Sequence, residues 1–281
     1  MIPDFVAVGH VTLDRTAGVV RPGGAAYYAA ITAHRLGLRV GVLTSFGPDF
    51  PADALPPGVE ILNLPSDRTT IYELKPLPRG RQLTLRARAE DLEASRLPAE
   101  WRAAPLALLC PIVNEVDPAF AAAFPDASVG ADAQGWLRRR GPGGAVSPQE
   151  WEDAGLVLPQ IQLLVVSDED VAGLEKSALE WFQQVPLGAL TQGRRGARLF
   201  VNGELYHVEA DPAREVDSIG AGDVFAAALL IEYNRSDDPW DAAAAAACAA
   251  SAKVEAAGAA TIPDRPALEA RLAAYWRRQL A

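Results

Sequence analysis

Apolar runs and amphipathic segments alternate along most of the chain, and this pattern predicts an α/β fold. Short apolar runs typical of buried strands occur at 5–8, 39–46, 106–110, 128–132, 162–166 and 187–191. Segments with helical spacing occur at 25–36, 167–181, 222–233 and 238–256. The alternation predicts a mostly parallel central sheet flanked by helices, in a single domain that covers residues 1–281.

Three further apolar segments have no helix between them. They lie at 61–64, 69–74 and 83–87 and are rich in β-branched and apolar residues. Because parallel strands need long crossover connections, these segments do not fit the parallel core. We expect them to form a small antiparallel flap, or lid, mainly from residues 60–90.

Composition narrows the class of protein. With 281 residues, 49% of them apolar, the chain can bury a substantial core. The net charge of −10 argues against nucleic acid or an anionic membrane as a partner. The two cysteines, Cys110 and Cys248, lie far apart in sequence, which fits a reducing compartment and no metal cluster. The first residues have no signal-peptide character, so we expect a cytoplasmic protein.

The most informative segment is 217–225, Asp-Ser-Ile-Gly-Ala-Gly-Asp-Val-Phe, which follows a predicted strand and opens a predicted helix. Gly220 and Gly222 leave backbone N–H groups uncovered at the helix N-terminus, where they and the helix dipole attract an anion, often a phosphate. Asp223 has two interpretations: an acid that complements the dipole, or a general base beside a phosphate site. A short glycine turn alone favours the first interpretation.

The complete segment resembles the signature Asp-Ser/Thr-x-Gly-Ala-Gly-Asp-x-Phe of the PfkB family of carbohydrate kinases, which have the ribokinase-like fold. The resemblance implies that Asp223 is the catalytic base and that Gly220, Ala221 and Gly222 form an anion hole for the phosphoryl group. Ser218 would join Gly220 and Gly222 in the nucleotide site. The resemblance also implies ATP and Mg²⁺ as cofactors, and leaves a monovalent cation open.

Two segments near the N-terminus resemble the sugar-binding part of that family. Gly9 and Asp14 match a Gly-x-x-x-x-Asp pattern in which the acid binds sugar hydroxyls, although Asp14 alone reads equally as a turn acid. Gly23 and Gly24 match a glycine pair that lies against the sugar. The following turn has Tyr28 and its neighbours where family members often have an asparagine. Ribokinases have inserted lid strands in the corresponding interval. Because the interval from 14 to 23 is short in this chain, the resemblance predicts a reduced lid.

Two later segments resemble the family less closely. Residues 132–138 are similar to an Asp-x-Gln-Gly-x-x-Arg stretch of a subgroup that includes inositol-kinase-like members, and Arg138 would then face the substrate and offset phosphate charge. The alternative is a basic surface loop. Ser167-x-x-Asp170 stands where kinases of the family have Asn-x-x-Glu; Asp170 is either a helix-capping acid or a metal ligand acting through water.

Residues 191–196 resemble the family's Thr-x-Gly-x-x-Gly loop, which contacts the nucleotide. Thr191, Gly193 and Gly196 hold the fixed positions, and Arg194 and Arg195 would supply positive charge that this acidic protein otherwise lacks. A glycine-containing hairpin would give the same pattern.

The sequence therefore predicts an ATP-dependent kinase that phosphorylates a hydroxyl of a sugar or polyol, with a cyclitol such as myo-inositol as one candidate. One alternative is a nucleoside or vitamin-precursor kinase of the same fold, for which Tyr27 and Tyr28 would supply stacking surfaces. Another is a non-catalytic sugar-binding regulatory protein, which the departures from the family pattern favour. The expected partners are small molecules, and a homodimer is left open.

Overall fold

Strands and helices alternate in the computed structural model, which describes residues 1–51, 53–77 and 81–280. The strands are β1 (Phe5–Val8), β2 (Thr12–Thr16), β3 (Val19–Gly23), β4 (Val40–Thr44), β5 (Glu60–Asn63), β6 (Thr70–Pro76), β7 (Arg81–Ala87), β8 (Leu106–Leu109), β9 (Ser128–Asp132), β10 (Arg138–Arg140), β11 (Val146–Pro148), β12 (Leu163–Ser167), β13 (Leu187–Thr191), β14 (Ala197–Val201) and β15 (Glu204–Val208). The α-helices are α1 (Ala25–Arg35), α2 (Ala154–Val157), α3 (Glu175–Phe182), α4 (Ala221–Ser236), α5 (Pro239–Lys253) and α6 (Arg265–Gln279). Short 3-10 helices lie at Ala94–Arg96, Ala99–Ala103, Pro118–Ala122, Ala133–Leu137, Pro142–Gly144, Leu158–Gln160 and Gly193–Arg195.

The central sheet has the order β15-β14-β13-β12-β9-β8-β1-β4-β5. Strands from β13 to β5 in that order run parallel, and β14 and β15 add an antiparallel hairpin at one edge. The predicted mostly parallel sheet is therefore confirmed. Because its strands point the same way, their carboxyl ends meet at one edge, where ligands bind in open α/β sheets.

The parallel strands β1, β4, β8, β12 and β13 contribute to two apolar layers, one on each face of the sheet. Phe5 and Ala7 of β1 pack on the side of α1, α4 and α5, whereas Val6 and Val8 face the layer that contains Trp101. All four side chains of β1 are completely buried. Burial on both faces explains why these strands are continuous apolar runs in the sequence. Small residues let α5 pack closely on α4.

A second sheet, the lid, has the order β3-β2-β6-β7. β2 pairs with β3 and β6 with β7 in antiparallel fashion, while β2 and β6 are parallel. The predicted small lid is present, but the interval from 14 to 23, where no strand is predicted, supplies two of its strands. Ala17 and Gly18 close that hairpin with φ of +50° and +82°. A tight two-residue turn thus allows a hairpin to form within this short interval.

Two local predictions are wrong. The segment at 61–64 is β5, which extends the central sheet beside β4 as a parallel edge strand and takes no part in the lid. The segment from Ser167 to Asp170 does not begin a helix: it forms turns, and α3 begins only at Glu175. Gly173 has φ of +84°, a conformation that ends any helical path through this segment.

Cys110 and Cys248 are both buried, and neither forms a disulfide. No helix in the described ranges has the length and apolar character needed to cross a bilayer.

Candidate active site

A cavity of about 610 Å³ lies between the lid and the carboxyl ends of the parallel strands. The lid contributes Asp14, Tyr72 and Leu74 to its wall. The strand ends and the N-terminus of α4 provide the opposite wall, with Asp132, Ser167, Thr191 and residues 215–223. The cavity thus lies where the topology places ligand sites, and most of the predicted site residues line it.

The start of α4 depends on Gly220. Gly220 precedes the helix with φ of +83°, and a β-carbon on it would lie 2.4 Å from the ring of Tyr28. Only glycine accommodates both conditions. By contrast, a β-carbon on Gly222 would have no heavy atom within 4 Å, so this position borders open space.

The N–H groups at this helix start differ in their partners. Ile219 donates to the carboxylate of Asp217 at 3.1 Å, and Ala221 donates to the carbonyl of Ser218 at 3.2 Å. The N–H groups of Gly222 and Asp223 belong to the first turn, in which no helical acceptor exists. The resemblance assigns Ala221 to the anion hole, but its N–H already closes a turn with Ser218, whereas the N–H groups of Gly222 and Asp223 have no acceptor within the helix.

Asp223 lines the cavity, with 8% of its surface exposed. Its Oδ1 accepts a hydrogen bond of 2.7 Å from Nε2 of Gln134, which also donates to Asp132 at 3.2 Å. The carboxyl groups of Asp132 and Asp223 thus share one amide donor. One amide therefore binds the carboxyl group of Asp132 at the end of β9 and that of Asp223 in the first turn of α4.

The pKa of Asp132 is raised well above its ordinary value of 3.8 by burial, and secondarily by the charge of Asp223 and the hydrogen bond to it. Folded Asp132 therefore holds its proton to a higher pH than unfolded Asp132, which releases it as the pH rises past 3.8. The folded state binds the extra proton, so rising pH lowers the free energy of unfolding until folded Asp132 ionises.

We expect Asp132→Asn to remove this pH dependence, because asparagine keeps one donor and one acceptor but does not titrate. Urea unfolding between pH 4 and pH 8 should show a wild-type stability that falls relative to the variant, by at most about 1.4 kcal/mol per pH unit. Asp126→Asn at an exposed position serves as the matched control. Parallel curves for wild type and Asp132→Asn would contradict a protonated Asp132.

Arg138 faces the cavity at the first position of β10. Its guanidinium donates to Oε1 of Gln134 and to the carbonyl of Ile112, the latter at 3.3 Å, and lies 3.4 Å from Oδ1 of Asp170. Burial acts to lower the pKa of Arg138, but nearby acids, Asp170 foremost, outweigh it and raise the pKa. The charged Arg138 is thus linked to Asp223 through the side chain of Gln134 and does not lie in a surface loop.

On the lid side, Asp14 lines the cavity and its Oδ1 accepts a 2.8 Å hydrogen bond from Thr12. Gly24 also lines the cavity, but Gly23 does not. A β-carbon on Gly23 would lie 2.3 Å from Asp14, and one on Gly24 would lie 2.5 Å from the carbonyl of His10. The two glycines thus make room for the side chain of Asp14 and the backbone of His10, and Gly24 also borders the cavity.

Tyr28 lines the cavity from α1 but is only 2% exposed. Burial raises its pKa well above the ordinary value of 10.0, and the carboxylates of Asp14, Asp223 and Asp217 raise it further. Its hydroxyl therefore stays protonated at any physiological pH.

At the opposite end, Thr191, Gly193 and Ser218 line the cavity. Gly196 lies outside the lining and directly precedes β14, and a β-carbon on it would lie 2.0 Å from the carbonyl oxygen of Val208. A glycine is therefore needed at 196 because the β14–β15 hairpin leaves no space there for a side chain. Arg194 pairs with Glu215 at 2.8 Å and Arg195 pairs with Asp168, so both arginines already have acidic partners.

Asp170 also lines the cavity, but its carboxylate is engaged on both sides. Oδ2 accepts hydrogen bonds from the N–H and hydroxyl of Ser167, at 3.2 and 2.5 Å, and Oδ1 faces Arg138. No cluster of three or more His, Cys, Asp or Glu side chains suited to a metal ion occurs within the described ranges. The residues fit Mg²⁺ only as an ion carried largely by donor phosphates, with Asp170 contributing at most through water.

Asp132, Gln134 and Asp217 are site residues that the sequence analysis does not select. Asp132 and Gln134 belong to the stretch quoted for Arg138, and the position of Asp132 at a strand carboxyl end is a signal that could have identified it. Asp217 opens the signature segment.

The fold is that of solved structures of the ribokinase family. A pyrophosphate-dependent kinase of the ribokinase family is 22% identical, with a TM-score of 0.78 over 95% of this chain and 99% of that one. A variant of a pyrophosphate-dependent myo-inositol-1 kinase is 23% identical, with a TM-score of 0.77 over 96% and 99%. Ribokinase from Arabidopsis thaliana, complexed with ribose and ATP, is 20% identical, with a TM-score of 0.72 over 97% and 99%. At these identities the likeness establishes the fold.

Residues 148–266 match the pfkB family of carbohydrate kinases. The resemblance read from the signature segment is thereby confirmed, and the match and the fold together support a phosphotransferase that acts on a hydroxyl group. No curated protein sequence matches the chain significantly.

Proposed function

We propose that the protein is a kinase that transfers a terminal phosphoryl group to a hydroxyl of a sugar or polyol. The observation that carries this proposal is the position of Asp223, whose carboxylate and first-turn N–H groups border the same cavity. Asp223 takes the hydroxyl proton, and the freed oxygen attacks the terminal phosphorus. The bond from that phosphorus to the bridging oxygen breaks, and the remainder of the donor leaves with the bridging oxygen. The N–H groups at the start of α4 stabilise the charge that builds on the phosphoryl oxygens, and Arg138 offsets part of it.

The acceptor end of the cavity is suited to a compound with several hydroxyl groups. Asp14, Gln134 and Arg138 approach it from the lid and from the end of β9, and Asp223 completes the set. Carboxylate, amide and guanidinium groups together supply both acceptors and donors to hydroxyls. We infer a polyol, with a cyclitol such as myo-inositol as the first acceptor to test.

The nucleoside alternative loses one of its supports. Tyr28 packs its ring against Gly220 and lies 5.5 Å from the ammonium group of Lys253, so its faces are already covered. Tyr27 is only 8% exposed. A non-catalytic binding protein is disfavoured because Asp223 lies in an open cavity with its amide partner in place.

The sequence predicts ATP with Mg²⁺ as the donor. ATP would bind at the end of the cavity that Thr191, Gly193 and Ser218 line. Mg²⁺, when bound, would neutralise charge on the donor phosphates.

Pyrophosphate is a second candidate for the phosphoryl donor. The resemblance to the PfkB family implies that adenine would lie between α5 and the 191–196 loop. The cavity lining, however, includes no described residue of α5, and the alanines of this helix at 242–249 are at most 5% exposed. The Arg194–Glu215 pair also links the two segments between which a nucleoside would extend.

The test is a donor-by-acceptor matrix with the full chain and Mg²⁺. Phosphorylated product is measured by mass spectrometry with ATP or pyrophosphate as donor, and with myo-inositol, other cyclitols, pentoses, hexoses and nucleosides as acceptors. We expect acceptor-dependent product with a cyclitol or another polyol, and pyrophosphate turnover at least as fast as ATP turnover if the Arg194–Glu215 pair limits the donor's length. Acceptor binding in calorimetry without product from either donor would contradict the proposal.

A further inference from the structure

Lys253, the last residue of α5, is completely buried. Its Nζ donates a 2.8 Å hydrogen bond to the carbonyl of Asp217 and lies 3.6 Å from Oδ2 of the same residue. The ammonium group also lies 5.5 Å from the centroid of the Tyr28 ring, within range of a cation–π interaction. Lysine is almost never fully buried unless paired, so this position calls for a reason.

The reason is not confined to α5. A lysine at a helix C-terminus is commonly explained by the helix dipole, but such a side chain needs no burial. Here the ammonium reaches across to the segment that leads into the anion hole. That segment is bonded to α5 elsewhere too, since the N–H groups of Val216 and Asp217 donate to the carbonyl of Val254 at 2.7 and 3.1 Å.

Asp217 connects Lys253 to the residues at the start of α4. Its carboxylate accepts from Ile219 at 3.1 Å and from Gly258 at 3.0 Å, while its carbonyl is bound by Lys253. Tyr28, the second group beside the ammonium, packs against Gly220. The buried ammonium group of Lys253 therefore contacts both Asp217 and Tyr28, the two residues that hold residues 217–220 in place. Lys253 is not part of the cavity lining, so it can act on a ligand only through these residues.

We propose that Lys253 is a positioning residue for phosphoryl transfer, whose ammonium holds Asp217 and Tyr28 so that the N–H groups after Gly220 face the donor phosphate. This inference rests on the proposed function for its catalytic meaning, but it also predicts anion binding in the absence of turnover. An internal cation at this place removes the need for a bound monovalent ion, and the protein should bind and turn over its donor equally well without K⁺ or Na⁺.

The first experiment measures pyrophosphate binding by calorimetry in buffers whose cation is tetramethylammonium. This cation is too large to enter the space that the Lys253 side chain occupies. We expect Lys253→Met to weaken binding by about 10- to 100-fold, the equivalent of losing a hydrogen bond to a charged group. Lys176→Met, at an exposed lysine, is the matched control and should bind like the wild type. Where turnover is found, kcat should fall more than the KM for the acceptor rises.

Chemical rescue separates positioning from simple packing. Lys253→Ala leaves space for a small cation, so methylammonium or ammonium should restore part of its pyrophosphate affinity, whereas tetramethylammonium at equal ionic strength should not. In Lys253→Met the side chain fills that space, and rescue should be absent.

Three outcomes would overturn the inference: wild-type affinity in Lys253→Met, loss in Lys253→Ala that no small cation restores, and wild-type binding that requires added K⁺ or Na⁺. The last measurement needs no variant, so it decides the question even if substitutions at Lys253 prevent folding. A wild-type protein that turns over no donor but binds pyrophosphate with this cation pattern would remove the proposed function and keep the inference. A wild-type protein that binds no pyrophosphate would remove the inference itself.

Discussion

Asp223→Asn should lower kcat by about 10²- to 10⁴-fold, the usual contribution of a general base. Asparagine has the same shape, and its Oδ1 can keep the 2.7 Å hydrogen bond from Gln134. It cannot accept the proton of the attacking hydroxyl. The KM for the acceptor should change much less than kcat, because the position of the side chain is preserved. Steady-state rates with the best donor and acceptor pair provide the measurement.

The control for this prediction is Asp237→Asn at the other end of the same helix. Asp237 is exposed and has φ of +55°, a conformation that asparagine adopts as readily as aspartate. It should leave both kcat and the urea unfolding midpoint at wild-type values. An Asp223→Asn variant that folds normally and keeps more than about a tenth of the wild-type kcat would remove Asp223 as the base, given the usual size of base catalysis.

The parallel core could be predicted because its strands are buried on both faces, and such burial requires a continuous run of apolar residues. Phe5 to Val8 and Leu163 to Val166 are examples, each with side chains at most 1% exposed. β5 lacked this signal: as an edge strand it has two exposed and two half-buried residues. An exposed edge strand resembles a lid strand in sequence, so its assignment to the lid failed for a physical reason.

The candidate site could be predicted only where its chemistry is local in sequence. Gly220, Gly222 and Asp223 lie within one turn of a helix start, and the anion-binding argument needs nothing else. The hydrogen bond from Gln134 to Asp223 joins residues 89 positions apart, and the one from Lys253 to Asp217 joins residues 36 apart. Such contacts follow from the order of strands in the sheet, which a single sequence does not specify.

Gly220→Ala and Gly222→Ala should have opposite effects on stability, although the two glycines are only two residues apart. Alanine at 220 would need φ near +83° and would place its β-carbon 2.4 Å from the Tyr28 ring. We expect it to cost about 1–3 kcal/mol in the free energy of unfolding and to lower kcat about 10²- to 10³-fold, since displaced N–H groups no longer stabilise the phosphoryl charge. Urea unfolding and steady-state kinetics on the same preparations measure both quantities.

Alanine at 222 meets no heavy atom within 4 Å and lies inside the first turn of α4, where it is a better helix former than glycine. Gly222→Ala should therefore unfold at the same or higher urea concentration than the wild type. Its donor affinity should nevertheless fall, because the added methyl group occupies space that the donor phosphate needs when it approaches the N–H groups. A Gly222→Ala protein with wild-type stability, wild-type kcat and an unchanged KM for the donor would show that the phosphate does not approach α4 at Gly222. The anion hole would then have to lie elsewhere along the cavity wall.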